Sequence, residues 1–233
     1  MEFLSTIGDK IIQTFVTQNR YKLFLEGFGN TILIAVCATI LGVLIGTIVA
    51  LCRVQHMQTG KLKILDRILS IYVAIIRGTP VVLQVMIMYY IVLASLKEYA
   101  IMIAILAFGL NSGAYVSEII RGGIMAVDSG QMEAGRSLGL SRVSTMLHVI
   151  LPQAIKNCLP SLGNEFISVL KETSVVGYIP VTDLTRASDR VIGITYNAFF
   201  PLISVAVVYF ILVAGLSALF KKMERKLAVS DRG

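Results

Sequence analysis

Arg77 and Gln84 stand seven residues apart in a stretch that is otherwise apolar. Seven residues make two helical turns, so an unbroken helix carries both on one face, with Pro80 between them freeing backbone groups. Asn111, Tyr115 and Glu118 follow the spacing i, i+4, i+7 in a second apolar stretch. Asn157, Ser161, Asn164 and Ser168 repeat it in a third, with Glu165 beside them. A charge inside a bilayer is costly and faces a cavity or a partner. Three such stripes turned toward one another would line an aqueous path. The same residues also fit a bracing role, with Arg77 paired to Glu118 or Glu165, or snorkelling to a nearby interface. Other chemistry finds no support in the sequence. It has no Ser/His/Asp set, no Cys/His metal cluster and no GxxxxGK[ST] phosphate loop. Cys37, Cys52 and Cys158 read as small buried thiols, and neither His56 nor His148 acquires a role.

The elements that carry these stripes are membrane helices. Of 233 residues, 56% are hydrophobic and 15% charged, and the mean hydropathy is +0.79. Soluble chains carry about 25% charged residues. An ordinary soluble domain, a disordered chain, a disulfide scaffold and a secreted enzyme are all excluded. Uncharged runs of 26, 19, 19 and 30 residues separate Glu26 from Arg53, Arg77 from Lys97, Glu98 from Glu118 and Arg190 from Lys221. About 20 apolar residues cross a bilayer. The reading is an all-α, polytopic membrane bundle of about five helices. They are expected near 24–52, 68–95 (interrupted at Arg77-Gly78-Thr79-Pro80), 100–121, 154–170 and 198–220. The fourth is the weakest, because it holds Asn157, Asn164 and Glu165.

Residues 1–23 are then an extracytoplasmic or interfacial segment, 24–220 the transmembrane domain and 221–233 a basic cytoplasmic tail. Met1–Arg20 contains Glu2 and Asp9 and lacks the basic start and apolar core of a cleaved signal. With five spans and the N-terminus outside, 13 Lys and Arg fall in inner segments and 7 in outer ones, with Arg77 inside a span. Basic flanks favour the cytoplasm. The net charge of +7 therefore reports orientation rather than nucleic-acid binding. The segment 171–196 is outside or interfacial, and the polar segment 122–153 is cytoplasmic. Gly42–Gly46 and Gly109–Gly113 are GxxxG pairs that permit close helix approach, without saying which chain supplies the other helix.

Within 122–153, Asp128 can cap a helix with Gln131 returning the bond, Gly139 can end it, and Ser141 can cap the next. Two short helices at an angle suit a docking knob for a cytoplasmic partner, or a structured linker. The stretch Glu133-Ala134-Gly135-x3-Gly139, nine residues, then Val149-x-Leu151-Pro152, resembles the EAA loop of ATP-binding-cassette (ABC) importer permeases. Those read Glu-Ala-Ala, three residues, Gly, nine residues, Ile-x-Leu-Pro. The departures are Gly135 and Val149, both small in volume. Tyr21-x-x-Phe24-Leu25-x-Gly27-x-x-x-Thr31, Arg77-Gly78-Thr79-Pro80, Gln84, Asn111-Ser112-Gly113-Ala114-Tyr115, Glu118-Ile119 and Arg121-Gly122-Gly123-Ile124 narrow the resemblance. Leu159-Pro160-x-Leu162-x-Asn164-Glu165-Phe166-Ile167 and Leu170-Lys171-Glu172-Thr173-Ser174 fit the same group. The chain is similar, over about 21–227, to the polar amino acid permease family, which serves histidine, arginine and glutamine.

The resemblance implies a transport subunit, not an enzyme, in the inner membrane of a bacterium. Two copies or two related permeases form the path. A cytoplasmic dimer of ABC ATPases docks below and holds the ATP and Mg, with no cofactor on this chain. An extracytoplasmic amino-acid-binding protein delivers the substrate. Beyond these protein partners and lipid, no nucleic acid is implied. Glu133, Ala134, Gly135, Gly139, Leu151 and Pro152 would couple to the ATPase. Arg77, Thr79, Gln84, Asn111, Glu118, Asn164, Glu165, Thr173 and Ser174 are the candidates for the path. A zwitterionic substrate needs a cation for its carboxylate, which Arg77 could supply. Its ammonium needs acceptors, from Glu165, Asn111 or a backbone carbonyl. The competing reading is an ion-coupled secondary transporter or channel working without an ATPase, but the two halves show no convincing repeat.

Overall fold

A computed structural model describes residues 2–229, with side chains from 7 to 225. The described residues form helices and turns without a strand. A short helix, α1 (Glu2–Ile11), leads through a wide turn over Ile12–Val16 and a tight one over Thr17–Asn19 to α2 (Tyr21–Thr59). At 1.5 Å per residue, the 39 residues of α2 run to about 58 Å, well beyond the roughly 30 Å of a hydrocarbon core. Gly60, at φ +68°, ends it in the left-handed conformation that glycine adopts most readily.

Helices α3 (Lys63–Gly78) and α4 (Val81–Ile87), the latter continuing as a wide turn over Met88–Val92, do not make a straight span. They bend by 111° at Thr79-Pro80. Thr79 is extended at φ −124°, ψ 148°, as residues preceding proline tend to be. After a turn over Ala94–Tyr99 comes α5 (Ala100–Met125), the most deeply buried helix, followed by the short α6 (Gly130–Ser137) and α7 (Arg142–Thr145). A wide turn at Met146–Ile150 absorbs the missing N–H of Pro152, and α8 (Leu151–Glu172) follows without a break. The chain closes with a turn over Thr173–Tyr178, α9 (Leu184–Thr195) and α10 (Phe199–Val229).

Among the described residues, three helices are long and apolar enough to cross a membrane, or four if the bent α3–α4 pair counts as one span. The fifth expected span is α8, present as a 22-residue helix but more polar than the others. The expected tail at 221–233 is the helical end of α10 as far as Val229; its last four residues lie outside the described residues.

The seam between α2 and α5 organises the bundle. A methyl on Gly42 would stand 2.7 Å from Ser112 Cβ, and one on Gly46 2.6 Å from Val116 Cβ. Across the seam, a methyl on Gly109 would stand 2.6 Å from Leu41 Cδ2, and one on Gly113 2.9 Å from Ile45 Cγ2. Both GxxxG pairs therefore serve one intrachain contact. Ile34, Ala38, Ala104, Ala107 and Phe108 continue it into the main core, where Val85 and Tyr89 join. Farther along, Asn30 donates to Thr182 O at 2.8 Å and Leu184 N–H donates to Thr31 Oγ1 at 3.3 Å. These bonds fasten the start of α9 to α2. Asp183, fully buried, caps α9 by accepting from the N–H groups of Thr185 and Arg186, both at 2.9 Å. Burial pushes its carboxyl up, and those N–H bonds pull it back.

Candidate functional site

Two groups of residues carry the candidate chemistry, one just past the C-terminal end of α5 and one along α5 from Asn111 to Arg121. The first is α6 with the turn behind it. Asp128 Oδ1 accepts from Gly130 N–H at 2.7 Å, and Gln131 completes the start of the helix through its backbone N–H to Asp128 O, not through its side chain. Gly139, at φ +84°, ends α6. Its N–H donates to Arg136 O at 3.1 Å and the Leu140 N–H donates to Gly135 O at 3.0 Å, the paired bonds of a Schellman cap. Ser141 then accepts from Ser144 N–H at 3.1 Å and caps the next helix, as its position foretold. The loop holds the two short helices expected, α6 and α7, and the second runs on through the wide turn at Met146–Ile150 into α8. Glu133 and Ala134 are exposed, Gly135 is buried, and Leu151 and Pro152 begin α8.

The second group surrounds the α3–α4 bend. Gln84 donates from its amide to Ile76 O at 2.8 Å, Thr79 Oγ1 at 2.9 Å and Thr79 O at 3.1 Å. Its own oxygen accepts from Asn111 Nδ2 at 2.9 Å. The expectation that Arg77 and Gln84 share one face of a single helix is corrected: the bend at Pro80 separates them, and Gln84 folds back to satisfy the carbonyls that the bend exposes. Arg77 lies over the Tyr115 ring, 5.3 Å from its centre, and reaches Glu118 at 3.8 Å. Glu118 also holds Arg121 at 2.7 Å and is in direct contact with Arg53, which has Asp66 at 3.6 Å.

Thus Arg77, Thr79, Gln84, Asn111 and Glu118 come together. The α8 stripe does not turn toward them. Asn157, Ser161 and Asn164 are exposed, and the link across is Ser112 Oγ, which donates to Glu165 at 2.8 Å. Thr173 is buried and bonded to Leu170 O. Ser174 lines a separate cavity of about 470 Å³ with Thr185, Arg186 and Asp189.

The family described as "binding-protein-dependent transport system inner membrane component" matches residues 42–229. The chain belongs to that family. It is a membrane permease subunit, the part of such a system that does not hydrolyse ATP. A putative glutamine transport system permease protein of Rickettsia bellii is 42% identical over 207 residues, spanning 88% of this chain and 93% of that one. An arginine transport system permease protein of Bacillus subtilis is 39% identical, spanning 89% and 93%. The glutamine transport system permease protein of Escherichia coli K12 is 35% identical, spanning 89% and 94%. Among solved structures, an amino acid ABC transporter with histidines superposes with a TM-score of 0.80 at 39% identity, covering 91% of this chain and 98% of that one. The MetNI methionine transporter, at 18% identity, superposes at 0.76 over 88% and 96% and shares the fold.

Sequence reasoning left several residues of the permease out of the site. Arg53 and Arg121 looked like basic flanks, yet they are the nearest partners of Glu118. Ser112 lies inside the Asn111-Ser112-Gly113-Ala114-Tyr115 run, where nothing in the spacing marks it as the partner of Glu165. Tyr72, whose hydroxyl donates to Leu110 O at 2.6 Å and so ties α3 to α5, carried no signal.

Proposed function

We propose that this chain is the permease of an ABC importer for a polar L-amino acid in the inner membrane of a bacterium. A second copy or a related permease completes the path. A cytoplasmic ATPase dimer supplies ATP and Mg, and an extracytoplasmic binding protein delivers the substrate. The observation that carries this reading is α6. It is a capped, eight-residue helix that displays Glu133 and Ala134 to solvent at one end of the bundle. The substrate class rests on relatives named for glutamine and arginine transport.

Closure of the ATPases on ATP would push α6 and open the bundle toward the loaded binding protein, and hydrolysis would reset it. Arg77 is the least committed of the three guanidiniums around Glu118. Its side chain is 45% exposed, and its ion pair at 3.8 Å is longer than that of Arg121. It can leave Glu118 for a substrate carboxylate, because Arg53 and Arg121 remain to balance the acid. Gln84 and Asn111 hold the bend open beside it. Asn164 presents an acceptor for an ammonium group on the exposed face of α8, with Glu165 beside it turned toward Ser112 of α5 and Thr173 and Ser174 at the far end of the helix. Uptake of labelled glutamine, arginine and histidine into proteoliposomes holding this chain, its ATPase and its binding protein tests the reading. ATP-dependent uptake is expected. Its absence, or uptake driven by an ion gradient without the ATPase, overturns it. Glu133→Ala should leave ATP hydrolysis running while uptake falls.

A further inference from the structure

Helix α6 touches the rest of the protein in two unlike ways. Toward its end Gly135 is buried against Thr145, which is itself fully buried. A methyl on Gly135 would stand 2.8 Å from Thr145 Oγ1 and nearer still to its Cγ2. Thr145 cannot easily swing aside. Its branched side chain is stiff in a helix, and its hydroxyl donates to Ser141 O at 3.0 Å. Backbone thus meets a fixed methyl with no slack.

One turn earlier, beside Met132 on the same face, a cavity of about 430 Å³ lies between the start of α6 and the ends of α2 and α5. Met57, Met125, Met132 and Met146 line it, with Val54 and Ile150. Unbranched, flexible methionine repacks around a changing shape more readily than other apolar residues do.

We propose that the Gly135–Thr145 contact is the pivot on which α6 tilts, and that the methionine-lined cavity is the space it tilts into. The proposal rests on the coupling role given to α6 above. A close contact between stiff groups passes on displacement, whereas a loosely filled cavity absorbs it. Gly135 and Thr145 are positioning residues: neither touches substrate or nucleotide. The pair also accounts for glycine at a position where the EAA pattern has alanine. The Thr145 methyl occupies the volume that an alanine Cβ would take.

The test is a complementation cycle in the assembled transporter, reading amino acid imported per ATP hydrolysed alongside the amount of inserted, ATPase-bound chain. Gly135→Ala forces the contact apart and Thr145→Ala opens it. Each should lower the import ratio, Gly135→Ala by about tenfold, as overpacking of a tight contact predicts. In the double variant the new Cβ fills the space left by Thr145, so the ratio should recover toward the unaltered value. Val54→Phe, which fills the cavity without touching the pivot, should slow import while the ATPase stays bound. A Thr145→Ala chain that couples normally, a double variant no better than Gly135→Ala, or unhindered import by Val54→Phe overturns the proposal. If Gly135→Ala fails to insert, Thr145→Ala and the double variant still decide. Absence of ATP-driven import by the unaltered chain would instead remove the coupling reading, and the pivot with it.

Discussion

Glycine does opposite work in two regions of this permease. Along the α2–α5 seam, Gly42, Gly46, Gly109 and Gly113 let two helices mesh from both sides, so each depends on its neighbours and the seam is rigid. At α6, Gly135 makes one close contact and Gly139 makes a left-handed cap, while a cavity opens alongside. The same residue type that removes freedom by allowing many contacts leaves freedom where it allows one. A scaffold that must hold a path and a lever that must move differ in how many surfaces share each glycine.

The contrast can be broken first at the seam. Gly46→Ala places a methyl 2.6 Å from Val116 Cβ and 2.8 Å from Gly113 O, so overpacking should cost about 3 kcal/mol. Gly29, on the same helix, has nothing within 4 Å of its added methyl, so Gly29→Ala should stabilise by up to about 1 kcal/mol. Thermal unfolding in detergent compares them, and equal shifts would deny that the seam is special.

A second test concerns charge. Glu118→Gln leaves Arg53, Arg77 and Arg121 without their shared acid and should lower both the melting temperature and transport. Glu165→Gln keeps an acceptor for Ser112 and should change stability little. Melting the two variants side by side would show whether Glu118 is the structural acid of the pair.

The most local effect is expected at the lever. Gly139→Ala at φ +84° should cost about 1–2 kcal/mol, felt in the α6 cap and not across the bundle. Amide exchange of residues near 130–140, compared with that of α5, checks this. Faster exchange in α5 as well would join the two regions into one cooperative unit.

Much of this was legible in the residues. The uncharged runs located α2, α5 and α10, because transfer into lipid is a property of each side chain by itself. Gly139 and Ser141 named their own caps, since those bonds close within five residues. The α3–α4 geometry was half legible: Pro80 announced an interruption, but a kinked helix and a 111° turn leave the same sequence signal. The Asn111–Gln84 bond was not legible at all. It depends on the bend returning α4 to α5, and no spacing rule reaches across a turn of that kind.

What the sequence by itself determined is the solvent of each segment, the helical period within it, and the loop pattern that points to the family. Which helices meet, and which partner each charge takes, only the tertiary structure decided. Both GxxxG pairs are compatible with another chain, yet they close on each other; Arg77 could choose between two acids, yet it shares Glu118 with two further arginines. The physical reason is that hydropathy and capping are summed over neighbours in sequence. Close packing and ion pairing depend instead on surfaces brought together from distant positions, and they are settled by the shape of all of them at once.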